Sequence, residues 1–266
     1  YLRVDSNTDT FESLNLDGPA PLLLICDHAS NHVPAALNNL GLTPQQLSQH
    51  VGWDIGAAAL TREISKSMDA AAVLSGTSRL VIDANRQPGD ATGIPEISDG
   101  ITITGNQNLS EADQIARTEA YFWPYHHAVA DAIAHLRRRE TTPQNIPAIF
   151  SIHTYTPEVS ATDAPARPWQ AGVLWNRDPR IAEPLIHLLR THPDNFVIGD
   201  NEPYSGKEVY YSVDFHAGAA GLPHGAIEIR QDLVSSEKGV TYWARIISEI
   251  LSEILATEEL HEIRHY

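Results

Sequence analysis

Two histidines in this 266-residue sequence stand where buried strands should run out. His28 comes after the apolar run Leu22-Leu-Leu-Ile-Cys26 and Asp27, and His153 comes directly after Ala148-Ile-Phe-Ser-Ile152. A neutral imidazole suits Zn²⁺, and a mononuclear site with three protein ligands keeps its fourth position for water. Either histidine alone reads more readily as a hydrogen-bonded core or loop residue. Two of them at strand ends fall in one crevice, because open α/β sheets bind ligands beyond the carboxyl ends of their strands. A carboxylate should complete the set, and Asp54 leads, since a helix beginning after Val51-Gly-Trp-Asp54 can start at that crevice. Its alternative role is capping that helix. Asn31 has the i, i+3 offset from His28 used in short metal motifs, but an amide is a poorer zinc ligand than a carboxylate.

Glu228 and Arg230 lie on one face of the otherwise apolar segment Gly225–Arg230. A buried carboxylate is costly unless paired or used, so Glu228 is either the partner of Arg230 or a general base that takes a proton from the attacking water. Arg79 and the run Asp83-Ala-Asn85-Arg86 supply local positive charge. Arg79 joins Glu228 in the expected catalytic pair. Arg86 with Asn85 can hold a substrate carboxylate, because a guanidinium meets it as a planar fork; the alternative is a surface pair with Asp83 or Asp90. Arg230, Tyr155 in Ser151-Ile-His153-Thr-Tyr155, and His126 in Tyr125-His126-His127 complete the expected substrate contacts.

These residues need a scaffold that brings strand ends together. Pro21–Cys26 and Pro147–Ile152 are short continuous apolar runs, the pattern of strands buried on both faces. Ala71–Leu74, Leu80–Ile82, Val173–Trp175, Phe196–Ile198 and Gly225–Arg230 also read as strands, and Asp54–Met68, Ile181–Arg190 and Lys238–Ile254 as helices. Ser110–Arg139 is a long helical stretch broken near Pro124. Strands alternating with helices predict an α/β fold, a mainly parallel or mixed central sheet flanked by helices, with residues 1–266 forming one domain. The loops 87–108 and 156–170 exceed simple connectors and should border the site.

Composition sets outer limits. The formal charge of −16 makes nucleic acid or an anionic membrane an unsuitable partner, so an anionic substrate must meet a local basic cluster. Cys26 is the only cysteine, which excludes an internal disulfide and a thiolate-rich zinc site and suits the reducing cytoplasm. No apolar run approaches the roughly 20 residues of a membrane span. His261 and His265 sit in a charged tail and read as surface residues.

At this point the sequence resembles the N-formylglutamate amidohydrolases, relatives of the zinc carboxypeptidases and aspartoacylases. The likeness rests on Asp27-His28-Ala-Ser30, Ser78-Arg79-Leu-Val-Ile-Asp83-Ala-Asn85-Arg86, Tyr125-His126, Ser151-Ile-His153 and Ile227-Glu228-Ile229, in the family's order. It implies a phosphorylase/hydrolase-like fold, one zinc ion per chain, and hydrolysis of an N-acyl amino acid, with N-formyl-L-glutamate as first candidate. By the same resemblance His28 and His153 are metal ligands, Asn85 and Arg86 grip a carboxylate, and Glu228 is the base. The sequence departs from the family where His-Ser-Gly becomes His28-Ala-Ser30 and where Asn31 replaces a carboxypeptidase-type glutamate, which leaves the third ligand to Asp54 or another residue. A zinc carboxypeptidase or esterase, and a non-catalytic binder of acidic amino acids, remain as alternatives. The oligomeric state is not legible.

Overall fold

The computed structural model describes residues 10–139, 146–157 and 167–266. Its strands are β1 (Phe11–Leu14), β2 (Leu22–Cys26), β3 (Ala71–Ser75), β4 (Ile97–Ser98), β5 (Ile101–Thr102), β6 (Ala148–Tyr155), β7 (Ala171–Leu174), β8 (Ile198–Asp200) and β9 (His224–Arg230). Its α-helices are α1 (Pro44–Leu47), α2 (Ala57–Met68), α3 (Glu111–Arg117), α4 (Trp123–Arg137), α5 (Ala182–Arg190), α6 (Tyr211–Val213) and α7 (Glu237–Leu255).

The apolar runs make the middle of the sheet. Every residue of β2, β3 and β6 is buried, as befits strands covered on both faces. Seven strands pair in the order β1-β3-β2-β6-β9-β7-β8. The pairs β3/β2, β2/β6, β6/β9 and β7/β8 are parallel, while β1/β3 and β9/β7 are antiparallel, so the sheet is mixed. From β2 the chain moves to β3 on one side and later to β6 on the other. That reversal opens a crevice at the carboxyl ends of β2 and β6.

Helices α2, α5 and α7 cover one face with Leu60, Ile64, Leu185, Leu189, Trp243 and Ile247. On the other face, α4 packs Tyr125, Val129 and Leu136 against Ile25, Val73 and Ile149. The helical stretch is not broken at Pro124: a π-helical turn over Thr118–Phe122, closed by the Trp123 N–H on the Thr118 carbonyl, joins α3 to α4 and accommodates the proline that follows it.

The structure corrects two further expectations. Leu80–Ile82 is a turn, not a strand. Its apolar side chains pack with Leu40, Ile103 and Phe122 in a third cluster. Side chains replace a strand ladder there: Asn106 donates to the Leu80 carbonyl at 2.9 Å and Arg117 to the Val81 carbonyl at 3.1 Å. His261 is buried, not a surface residue, because the tail folds back and its ring bonds the Ile146 and Leu255 carbonyls. Part of the 156–170 loop lies outside the described residues. No helix among the described residues is long and apolar enough to cross a membrane.

Candidate metal centre and active site

Local geometry carries Asp54 to the end of β2, where its N–H donates to the His28 carbonyl at 3.0 Å. Gly56 follows at φ 89°, and a Cβ there would stand 2.5 Å from the Val234 carbonyl oxygen, so the turn into α2 requires glycine. Gly56 is also the N-cap, without a side-chain cap bond. Asp54 therefore does not cap α2, and its carboxylate points elsewhere.

It points at both histidines. His28 Nδ1 lies 3.3 Å and His153 Nδ1 3.0 Å from Asp54 Oδ2. Ligand atoms of these three buried residues all lie within 4.8 Å of one another, close enough to hold a metal ion. The outer nitrogens are braced by carboxylates: His28 Nε2 is 2.7 Å from Asp83 Oδ1, and His153 Nε2 is 3.1 Å from Asp27 Oδ2. Asp27 in turn accepts from the Tyr125 hydroxyl at 2.8 Å, and Asp83 from the Asn85 N–H at 2.8 Å. With each Nε2–H donated to a carboxylate, loss of the Nδ1 proton would leave each Nδ1 lone pair for a metal, the bracing found around ligating histidines. Two imidazoles and one carboxylate, buried and outwardly braced, fit zinc.

The electrostatics are those of a buried anionic nest. Burial alone would raise the Asp27 carboxyl, but the hydrogen bond and charge of His153 override it and hold the group at about 2. Burial likewise opposes ionisation of Asp54, and His28 and His153 pull it well below the carboxylate range. His153 is raised well above the usual imidazole value, its burial outweighed by its bonds to Asp27 and Asp54. Arg79 spans the nest, donating to Asp54 Oδ1 at 3.2 Å and Asp83 Oδ2 at 3.1 Å.

A cavity of about 500 Å³ opens onto this cluster. Glu228 lines it, beside His153 in the β6/β9 register. Burial and the charge of Asp54 push Glu228 up to about 7 against the pull of His153, His28 and Arg79. Among the described residues, four of the six buried side-chain atoms without a hydrogen-bond partner belong to residues of this cavity: His50 Nδ1, Ser151 Oγ, Tyr210 Oη and Glu228 Oε2. Leaving such a group unpaired costs about 1–3 kcal/mol, so their concentration marks a place built for a polar occupant.

Of the residues singled out in the sequence, the cavity gathers His28, Asp54, Arg79, Asn85, Arg86, His153 and Glu228. Arg86 is anchored by the Asn85 carbonyl at 2.9 Å and Thr92 Oγ1 at 3.2 Å. The other three expected contacts lie outside its lining. Arg230 is taken by Asp232 at 2.8 and 3.1 Å, which also removes it as an ion partner for Glu228. The Tyr155 hydroxyl donates to the Trp169 carbonyl. His126 stacks on His216, and its Nε2 bonds the Ala84 carbonyl at 3.0 Å, behind Asn85. Missed were the braces Asp27 and Asp83 and the cavity residues His50, Ser151 and Tyr210. For Asp27 a signal existed, since adjacent residues of an extended segment face opposite ways and a carboxylate next to His28 cannot serve His28.

The N-formylglutamate amidohydrolase family model matches residues 20–235. The chain belongs to that family. A crystal structure of a gene product of Agrobacterium tumefaciens is 30% identical, with a TM-score of 0.87 over 94% of this chain and 96% of the other. The N-formylglutamate amidohydrolase of Ralstonia eutropha JMP134 is 18% identical and shares the fold, with a TM-score of 0.66 over 92% and 97% of the two chains. No curated protein sequence matches. Membership of an amidohydrolase family makes this chain a hydrolase, and the crevice between β2 and β6 is where this N-formylglutamate amidohydrolase family member holds its buried group of His28, Asp54 and His153.

Proposed function

We propose that this protein is a zinc-dependent amidohydrolase that cleaves the amide bond of an N-acyl amino acid into a carboxylate and an amine. The observation that carries the reading is the convergence of His28 Nδ1 and His153 Nδ1 on Asp54 Oδ2, with unpartnered Glu228 in the same cavity. His28, His153 and Asp54 would hold the metal. A bound zinc ion supplies Lewis acidity, making water more acidic and an amide carbonyl more electrophilic.

The remaining roles belong to the chain. Glu228 takes the proton from the attacking water and passes it to the nitrogen of the departing amine, so that water's oxygen ends in the acid and its protons on the amine and solvent. Arg79, fixed between Asp54 and Asp83, faces the cavity and stabilises negative charge gathering on the carbonyl oxygen. Arg86 and Asn85 receive the substrate's carboxylate.

N-formyl-L-glutamate is the reference compound, since it names the family. The zinc-loaded protein should release the acid from at least one member of an N-formyl and N-acyl amino acid panel and stop doing so with a chelator. Turnover that persists after the metal is stripped to background would sink the zinc reading, and cleavage of C-terminal peptides alone would replace the amidohydrolase by a carboxypeptidase.

A further inference from the structure

The cavity has a wall that the metal-centre chemistry leaves unused. Across β7, β9 and β6 the residues Gly172, Glu228 and His153 stand in one row, and Leu174, Ala226 and Ser151 in another. The rows lie two residues apart along each strand, so they share a face and are separated by about 7 Å. A group attached to an amide reacting at Glu228 and His153 therefore reaches the second row. Val209, Tyr210 and Val213 close over that row from the segment around α6.

The chemistry of this wall is apolar with two hydroxyls. Ser151 Oγ and Tyr210 Oη are buried and lack hydrogen-bond partners, and Leu174, Val213 and Ala226 are each 2% exposed. Among the described residues, the only arginine or lysine side chains lining the cavity are Arg79 and Arg86. Arg79 is held by two carboxylates, which leaves Arg86 for one substrate carboxylate. Arg167 comes near, but it donates to the Tyr204 hydroxyl at 3.0 Å and the Thr156 carbonyl at 2.9 Å and is not a lining residue. The carboxylates of Asp214 and Asp178, which do not line the cavity, act on the Tyr210 hydroxyl, and Glu96 and Asp99 line the cavity from the β4/β5 hairpin. A second substrate carboxylate placed in this wall would be desolvated against apolar carbon with no cation.

Resting on the amidohydrolase reading, we infer that the wall of Ser151, Leu174, Val209, Tyr210, Val213 and Ala226 is a subsite for an uncharged, largely apolar substituent of the substrate. The Ser151 hydroxyl, on the strand face it shares with His153, serves a polar tip such as a carbonyl or hydroxyl. The substituent can be the amino-acid side chain or the acyl group, and one panel separates them.

The zinc-loaded full chain is assayed with N-formyl-L-glutamate, N-formyl-L-leucine, N-formyl-L-phenylalanine and N-butyryl-L-glutamate. A kcat/KM for the leucine or phenylalanine compound about tenfold or more above that of N-formyl-L-glutamate supports the subsite as a side-chain pocket. The same advantage for N-butyryl-L-glutamate supports it as an acyl pocket. N-formyl-L-glutamate matching or beating all three overturns the inference and leaves the amidohydrolase reading standing. If none is cleaved, that reading fails, and titration calorimetry with L-leucine, L-phenylalanine and L-glutamate decides the subsite by itself. Tighter binding of an apolar amino acid supports it, and equal or tighter binding of L-glutamate overturns it. Val209→Arg, at a half-buried position, should shift the preference toward N-formyl-L-glutamate by about tenfold, and an unchanged ratio counts against the wall.

Discussion

Replacing Glu228 by glutamine separates what this side chain does in chemistry from what it does in the fold. Glu228 is 7% exposed, its Oε2 has no partner, and the nearest candidate on its strand, Arg230, is engaged by Asp232. Removing the charge therefore strands no arginine. Burial and the charge of Asp54 lift the carboxyl from 4.5 to about 7, a difference worth about 3 kcal/mol against the ionised form. Because the folded-state value lies above the unfolded one, the stability is fully present below pH 4.5 and is lost as pH rises through about 7. Chelated E228Q should thus match wild type near pH 4.5 and exceed it by up to about 3 kcal/mol at pH 8, a Tm higher by about 6–10 °C. In the zinc-loaded enzyme, kcat should fall by roughly 10²–10⁴-fold with metal content unchanged. Thermal melts from pH 4.5 to 8, elemental analysis and steady-state kinetics measure these quantities. The reasoning is refuted by an E228Q protein that keeps wild-type kcat, or by one that loses the about 3–5 kcal/mol typical of a broken buried ion pair.

His28→Ala and His153→Ala should each lose the metal while keeping the fold; about one zinc per chain in either variant, by elemental analysis and circular dichroism together, would remove that residue from the ligand set. Asp83→Asn keeps its size but weakens the brace on His28 Nε2 and one of the two partners of Arg79, so zinc affinity measured against a chromophoric chelator should drop about 10–100-fold; unchanged affinity would deny the brace. Arg86→Lys should raise KM on the order of 10- to 100-fold with little change in kcat, the loss of a charged hydrogen bond of about 1.5–3 kcal/mol, and unaltered kinetics would return Arg86 to a structural pairing with its own loop.

What the sequence disclosed follows from how local each signal is. The centre of the sheet was readable because Leu22–Cys26 and Ala148–Ile152 carry apolar side chains toward both faces, and the histidines after them inherit their position from strand ends. β1 was not readable, since Phe-Glu-Ser-Leu is an edge strand with only partial burial and too short to show a period. Leu80–Ile82 misled because apolar content reports burial, and burial came from the cluster around Phe122 instead of from the sheet. His261 misled in the opposite direction: its charged neighbours hid two buried backbone acceptors contributed by residues 115 and 6 positions away. The carboxylates behind the two histidines were visible as residues, but their pairing is a three-dimensional fact. Asp27 serves His153 and not the adjacent His28, which is served by Asp83 55 positions on.

That crossed pairing governs how the molecule can be made. The contacts of the metal centre join residues 26, 55, 99 and 126 positions apart, so no contiguous stretch of the emerging polypeptide holds the donor set. Each link closes a loop whose entropy must be met before zinc gives any return, and such distant pairings are slow to form. If the cluster holds zinc as proposed, metal capture would follow the docking of β6 against β2 and would not seed the condensation of the chain. On that reading the donors are scattered along the chain until the sheet is assembled, and zinc uptake would report that the topology has been completed.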